Sequence, residues 1–459
     1  MHTMQLLDHQ KVTRTIMATI LAAVLLLITG CAPDLLTRDI RDLEQMPQAP
    51  IAYLDTATAH QPLLSAEEQQ KQAIDFLQRH FIPWHTEMPL ESTNSPFWAV
   101  DWVEKKMVFG ENLRPVGQAQ LQALVDLTSA ETYPSLNRRA ITVCQTDLRA
   151  LPTLKPLFNN PAKAGEGFPF DNLQHSSVPA NTPLHVSHIS EDGAWVFAET
   201  TWVYGWLPVT DLAWADEEFT RAFETGHYLA PIQDQVPVYD AGGLFRFNSG
   251  MGALFPLINT GPASHEVLIA IADEDRQALL TKAVIPLNSG DVFPLSLTSW
   301  RLASLAGHMV GQAYGWGGSL ADRDCSATIR DLFVPFGLWL PRNSSKQAKQ
   351  GTVIPLSDLS PNQREKFLVE KGVPFLTLVR IPGHIMLYIG THEDRAAVLH
   401  TIWGLRTRNL WGNDGRWVIG KTVITTLEPG MERSSLTLGI SNLRQRVESM
   451  NILRSPALP

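Results

Sequence analysis

Cys325 stands between two short polar side chains, in Asp324-Cys325-Ser326, at the start of a run with helical apolar spacing. Ile329, Leu332, Phe333 and Phe336 form the stripe and Gly337 follows as a stop. The pattern predicts a helix over about 325–336, capped by Asp322 or Asp324. A thiol in the first turn of a helix faces unpaired N–H groups and the positive end of the helix dipole, which favour thiolate. That is a setting for a nucleophile, and such a nucleophile needs a base. The stretch from Phe375 to Gly404 reads as strand, Pro-Gly turn, strand, polar turn, strand. Alternation puts His384, Met386 and Tyr388 on one side and Ile385, Leu387 and Ile389 on the other. With the hairpin turning near His392 and Glu393, His400 falls opposite or nearly opposite His384. Neighbours at that spacing let one imidazole orient the other. The predicted chemistry is acyl transfer to a thiol: Cys325 attacks, His384 takes its proton, and His400 holds the His384 ring.

Other chemistries find little support. A formal net charge of −9 without any basic run excludes nucleic acid as a partner. No P-loop, CxxC or HExxH occurs, so neither a nucleotide, a metal nor another cofactor is expected. Gly317-Gly318-Ser319-Leu320-Ala321 mimics a serine nucleophile elbow but lacks the final glycine and a preceding strand. Of the three cysteines, Cys144 lies in a strand-like run, AITVCQTDL, where a small buried side chain is expected rather than a disulfide to Cys325.

Length points to several domains that must position these residues. Residues 1–30 read as a signal peptide, with Lys11 and Arg14 ahead of an apolar run from Ile16 to Ile28. Its end, Ile28-Thr29-Gly30-Cys31, resembles a bacterial lipobox. The resemblance implies a lipidated Cys31 and a chain anchored by acyl groups in the cell envelope, with Ala32 favouring the outer membrane facing the periplasm. Residues 31–63, rich in proline and alanine, read as a tether. Residues 64–135 read as an N-terminal helical domain, opening with Ser65 as an N-cap and apolar spacing at Ile74, Phe76 and Leu77. Two clusters of short strands broken by Gly, Pro, Asn and Asp follow, at 136–229 and 230–296. Residues 297–459 turn helical and then sheet-like.

The first cluster resembles a bacterial SH3 module through DGAWVFAETTWVYGWLPVTDLAW, Asp192 to Trp214. Tyr314 to Gly318 (YGWGG), Asp324 to Ser326 (DCS), Leu340 to Gln347 (LPRNSSKQ) and Gly383 to Gly390 (GHIMLYIG) together resemble the NlpC/P60 cysteine peptidases. One departure is Ala327, where the family carries glycine; alanine favours the helix and leaves the nucleophile in place. The resemblance implies two small SH3-like β-barrels ahead of a papain-like α+β domain. It also implies hydrolysis of peptidoglycan stem peptides. The whole layout is similar to γ-D-glutamyl-diamino-acid endopeptidases of cell-wall recycling, in which the first SH3 module narrows the cleft. By position, Asp324 and Tyr314 are then expected to hold a free N-terminal amine. Arg342 and Ser344 are expected to hold the D-glutamate carboxylate, Ser326 to line the same site and Tyr204 to roof it. Competing readings are a hydrolase of stem peptides in intact wall and a non-catalytic adaptor gripping wall through its SH3 modules; a retired site has no reason to keep Cys325, His384 and His400 together.

Overall fold

The computed structural model describes residues 39–89, 96–435 and 438–454. The signal-like segment and Cys31 lie outside the described residues. Among those described, no helix is long and apolar enough to cross a membrane.

The residues expected to form a tether do not hang free where they are described. Arg41–Gln45 is helical, and Asp42 accepts from the Thr426 backbone N–H and hydroxyl at 2.7 and 2.9 Å. Gln48 exchanges two hydrogen bonds with the Ile424 backbone, and Ile40 is buried with Ile402, Leu405 and Trp417. Apolar and polar anchors spaced along the segment fasten it to the C-terminal sheet. Next comes the helix Ala66–Phe81, capped by Ser65, whose hydroxyl accepts from the Glu68 N–H at 3.1 Å. Its buried face is Ala73, Phe76 and Phe81, with Leu77 half-buried beside them. Ile74, expected to face inward, is instead 47% exposed. Gln69 from this helix donates to the carbonyls of Leu295 and Phe336, so the helix braces the peptidase-like end of the chain.

The first strand cluster forms β1 Arg138–Thr142, β2 Thr146–Arg149, β3 Gln174–Val178, β4 Pro183–Ile189, β5 Trp195–Glu199, β6 Tyr204–Pro208 and β7 Leu212–Trp214. The second forms β8 Tyr228–Pro231, β9 Val236–Asp240, β10 Phe245–Ser249, β11 Phe255–Thr260, β12 Ser264–Ala272, β13 Ala278–Pro286 and β14 Gly290–Val292. Strand order is β3-β2-β6-β5-β4-β1-β7 in one and β10-β9-β13-β12-β11-β8-β14 in the other. Counting from the first strand of each, the two paths are identical. The expected closed barrels are not formed: among the described residues the end strands of each path do not pair, so both sheets are open. The division expected at 229/230 cuts through β8, which belongs wholly to the second sheet. Cys144 sits in the turn between β1 and β2 rather than in a strand, and both it and Cys325 are free thiols.

The C-terminal part places the helix Cys325–Phe333, with the helix Ser299–Met309 packed on it, against an antiparallel sheet. Its strands are β15 Thr352–Pro355, β16 Thr377–Ile381, β17 His384–His392, β18 Arg395–Asn409, β19 Asp414–Thr425, β20 Leu438–Ile440 and β21 Ser449–Ile452, in the order β15-β21-β16-β17-β18-β19 with β20 on β18. One apolar core joins the parts: Phe76, Trp84, Phe223, Leu302, Leu332 and Leu387 belong to a single buried cluster.

Candidate active site

The helix Cys325–Phe333 starts where the sequence predicts, because Asp324 caps it: its carboxylate accepts from the Ala327 N–H at 2.9 Å. A 3₁₀ turn, Val334–Phe336, extends it to Gly337, whose φ of 76° ends it in the left-handed region. A Cβ there would also meet Ala73 at 2.8 Å, so glycine lets the N-terminal helix close on this turn. A buried ladder of hydroxyls, Thr328 to Thr401 to Thr422, locks the helix to β18 and β19.

The two histidines meet as the hairpin pattern predicts. Glu393 and Asp394 take positive φ and make a tight turn between His392 and Arg395. The pairing Leu387↔Leu399, continued down the strands, sets His400 one diagonal step from His384. His384 Nε2 and His400 Nδ1 are 2.8 Å apart. The far end of the relay assigns the protons. Thr425 Oγ1 donates to the Thr426 carbonyl at 2.7 Å, so it can only accept from His400 Nε2–H, 3.0 Å away. His400 Nδ1 is then a lone pair that accepts from His384 Nε2–H. This leaves His384 Nδ1 as the free base. Cys325 and His384 line the same cleft, and the backbone N–H of Ile385, the residue after His384, favours the thiolate form of Cys325.

Electrostatics differ from the expectation of a resting thiolate. Burial and the Asp324 carboxylate push the Cys325 thiol up to about 12, outweighing Arg342 and the N–H groups of Ile385 and Ser326. Burial, assisted by the Arg446 charge, brings His384 down to about 4. Burial and then His384 hold His400 well below the ordinary histidine value. At neutral pH the resting pair is therefore thiol and neutral imidazole. The helix start supplies N–H groups, but they do not overcome the loss of water around a buried sulfur.

Arg342 does not present a free fork to the cleft. Nη1 and Nη2 hold the two Asp324 oxygens at 2.9 and 2.6 Å, Nη1 also reaches Ser326 Oγ at 2.8 Å, and Nε reaches Ser176 Oγ at 2.8 Å. Both partners are buried, Arg342 to 8% and Asp324 to 7% exposure. Burial alone would raise Asp324, but Arg342 holds its carboxyl below the usual carboxylate range. The expected roles thus change: the carboxylate has its counter-charge inside the protein, and the guanidinium is spent on it. The reason is packing, since β3 of the first sheet brings Ser176 onto Arg342 and closes the pair off from water.

The cleft holds about 1120 Å³, lined by Cys325, His384, Asp324, Ser326, Arg342, Ser344, Tyr314 and Tyr204. Every one of these expected site residues is brought together there, and His400 stands directly behind His384. Tyr314 is raised by burial, Asp324 and Cys325, so its phenol stays protonated and can donate. Its ring stands 6.4 Å from Phe170 and 5.9 Å from Trp403, and Phe170 lies 5.2 Å from Trp316. The first sheet supplies Gln174, His175 and Tyr204 to the wall and the connection between β2 and β3 adds Phe170, whereas no residue of the second sheet lines the cleft. Gly317 and Gly318 permit that approach: at φ of 61° and 84°, added Cβ atoms would strike the Gln174 carbonyl and the Ser177 nitrogen at 2.7 Å. Thr425, Phe170, Trp403, Arg416 and Arg446 were not legible as site residues in the sequence; Trp403 alone carried a local signal, three residues past His400 on the same strand.

Comparisons with known proteins agree with this layout. Residues 311–402 match the NlpC/P60 family, 19–133 the NLPC_P60 stabilising domain, 156–208 an SH3 domain of SH3b1 type and 216–262 one of SH3b2 type. A solved structure described as a novel NlpC/P60 endopeptidase from Photobacterium damselae subsp. piscicida superposes with a TM-score of 0.81 at 23% identity, covering 90% of this chain and 98% of the other. An NlpC/P60 family protein from Bacillus cereus gives 0.43 at 16% identity over 62% of this chain and 83% of its own. No curated protein matches this chain.

Proposed function

This chain carries an NlpC/P60 domain behind two SH3 modules and an N-terminal stabilising domain, and from that we propose that it is a cysteine peptidase that cleaves the γ-D-glutamyl–diamino acid bond of peptidoglycan stem peptides. The observation that carries the reading is the proton relay, which leaves the His384 Nδ1 lone pair next to a thiol at a helix start. His384 Nδ1 takes the Cys325 proton as sulfur attacks the γ-carbonyl carbon. The oxyanion is held by the Cys325 backbone N–H, a first-turn donor without an intrahelical partner. The C–N bond breaks, the leaving nitrogen takes the proton from His384, and a thioester remains. Water, deprotonated by His384, then hydrolyses the thioester and restores the thiol. The His400 and Thr425 pair positions the ring and stabilises the transient imidazolium.

Size selection favours short peptides, because the first SH3 module walls the cleft with Phe170, His175 and Tyr204. One observation favours the second reading, action on stems still joined to glycan: Asp324 already has Arg342 as counter-charge and does not demand a substrate ammonium. Anchoring through Cys31 in the outer membrane would place either activity at the periplasmic face. The test is mass spectrometry of products from purified mature chain given L-Ala-γ-D-Glu-diaminopimelate and its N-acetyl form. Release of diaminopimelate from the free peptide is expected, and its absence from both peptides rejects the reaction. Equal kcat/KM for the two would assign intact wall as the substrate.

A further inference from the structure

The cleft contains more positive charge than its one acid accounts for. With Arg342 committed to Asp324, the cations that remain on the β19 side are Arg446, at the end of the short helix Leu443–Arg446, and Arg416 on β19. Arg406 beside them is engaged by Asp414 at 2.6 Å. Among the described residues no ion pair reaches Arg446 or Arg416; their hydrogen bonds go to the carbonyls of Pro382 at 3.0 Å and Gly415 at 2.9 Å. Arg406 and Asp414 act on Arg416 with opposite sign, and Glu166 adds a smaller negative influence. Both guanidiniums line the same cleft, and the Arg446 charge is felt at Arg416. Like charges held together in a cleft are unfavourable until an anion joins them.

The position of that anion follows from the reaction. His384 must come within about 3 Å of the leaving nitrogen to protonate it. In an α-amino acid leaving group the carboxylate carbon is two bonds from that nitrogen, roughly 2.5 Å away. A carboxylate therefore arrives beside His384, and Arg446 is held there by its bond to Pro382, two residues before His384. We propose that Arg446 and Arg416 form a carboxylate subsite for the leaving residue, Arg446 taking its α-carboxylate and Arg416 the second carboxylate of a diamino diacid. The subsite rests on the acyl-transfer reading above and deepens it: substrates whose leaving residue ends the peptide are preferred over those in which the chain continues as an amide.

The experiment compares kcat/KM of wild type and Arg446→Gln on L-Ala-γ-D-Glu-diaminopimelate and on the same peptide amidated at the leaving α-carboxyl. One charge-assisted contact at a partly open site corresponds to about 10- to 100-fold. Wild type is expected to prefer the free acid by that factor, and in Arg446→Gln the ratio of free acid to amide is expected to approach one, whatever its activity on either peptide alone. Arg416→Gln should in the same way erase a preference for diaminopimelate over lysine as leaving residue. Calorimetric binding of free diaminopimelate to Cys325→Ala, weakened by Arg446→Gln, gives a readout independent of turnover. A wild type that cleaves both peptides equally, or an Arg446→Gln variant that keeps the preference, overturns the subsite while leaving the reaction intact. A folded wild type that cleaves neither peptide rejects the reaction and the subsite with it.

Discussion

The two SH3 modules share one strand path and do different work. The first lies against the cleft: Ser176 reaches Arg342, Gln174 donates to the Gly317 carbonyl, and the Trp316 indole donates to the Asp171 carbonyl. The second touches the peptidase domain from behind. There Asp234 takes both Nη atoms of Arg323 at 2.7 and 2.8 Å, and Arg323 also donates to the Met251 carbonyl. Module topology therefore does not set the role. The loops do, since Phe170 and His175 sit in and after the long connection between β2 and β3, whereas β9 and β10 are joined by a four-residue turn, 241–244. One module walls the cleft; the other braces the domain that carries Cys325.

That contrast says where damage should appear. The largest loss belongs to neither module: Cys325→Ala should lower kcat by about a thousandfold or more without moving Tm, and sets the zero of activity. Next in size, Asp234→Ala leaves the partly buried Arg323 with only Asp331 as an acid. Losing one partner of a fully buried pair costs about 3–5 kcal/mol. With Asp331 remaining and the pair partly exposed a smaller loss is expected, so thermal unfolding should shift down while KM stays unchanged in the folded fraction. If KM rises instead, the second module reaches the substrate and the division of labour fails.

Of the two modules, acid should act on the first. Burial holds His175, His185 and His188 below the ordinary histidine value. The unfolded chain therefore binds more protons than the folded one as pH falls below about 6.5, and stability is lost in that direction. Melting followed from pH 7 to pH 5 should show Tm falling by several degrees, with amides of β3 to β6 exchanging before those of β11 to β13. Uniform protection at pH 5 would contradict this. Tyr204→Ala, in the cleft wall, should raise KM about tenfold with little change in Tm. Least of all, Cys144→Ala, in the first module but away from the cleft, should leave kcat, KM and Tm nearly unchanged. Loss of turnover there would mean the wall extends further than Phe170, His175 and Tyr204.

Reactions of the thiol sharpen the resting-state picture. With Cys325 near 12 and His384 near 4, alkylation by iodoacetamide should be slow at pH 7 and rise only in alkali. The acid limb of kcat/KM should follow His384 and fall as pH drops through about 4. A rapid, pH-independent alkylation between pH 5 and 8 would instead indicate a thiolate.

Much of this was legible along the chain. The Asp324 cap, the apolar stripe from Ile329 to Phe336, the stop at Gly337 and the meeting of His384 with His400 depend on residues a few positions apart or on one hairpin, where backbone periodicity dictates the outcome. The family resemblance also marked Tyr314, Ser344 and Tyr204 as cleft residues, and all three line it. Tertiary structure alone decided what those groups can do. Ser176 and Arg342 are 166 positions apart, and Thr425 lies 25 beyond His400. Only packing buries Arg342 on Asp324, fixes the His384 tautomer through Thr425, and turns 39–63 from an expected tether into a strap on the C-terminal sheet. Charge state and burial are properties of the whole surroundings of a group, and a sequence lists residues without their surroundings.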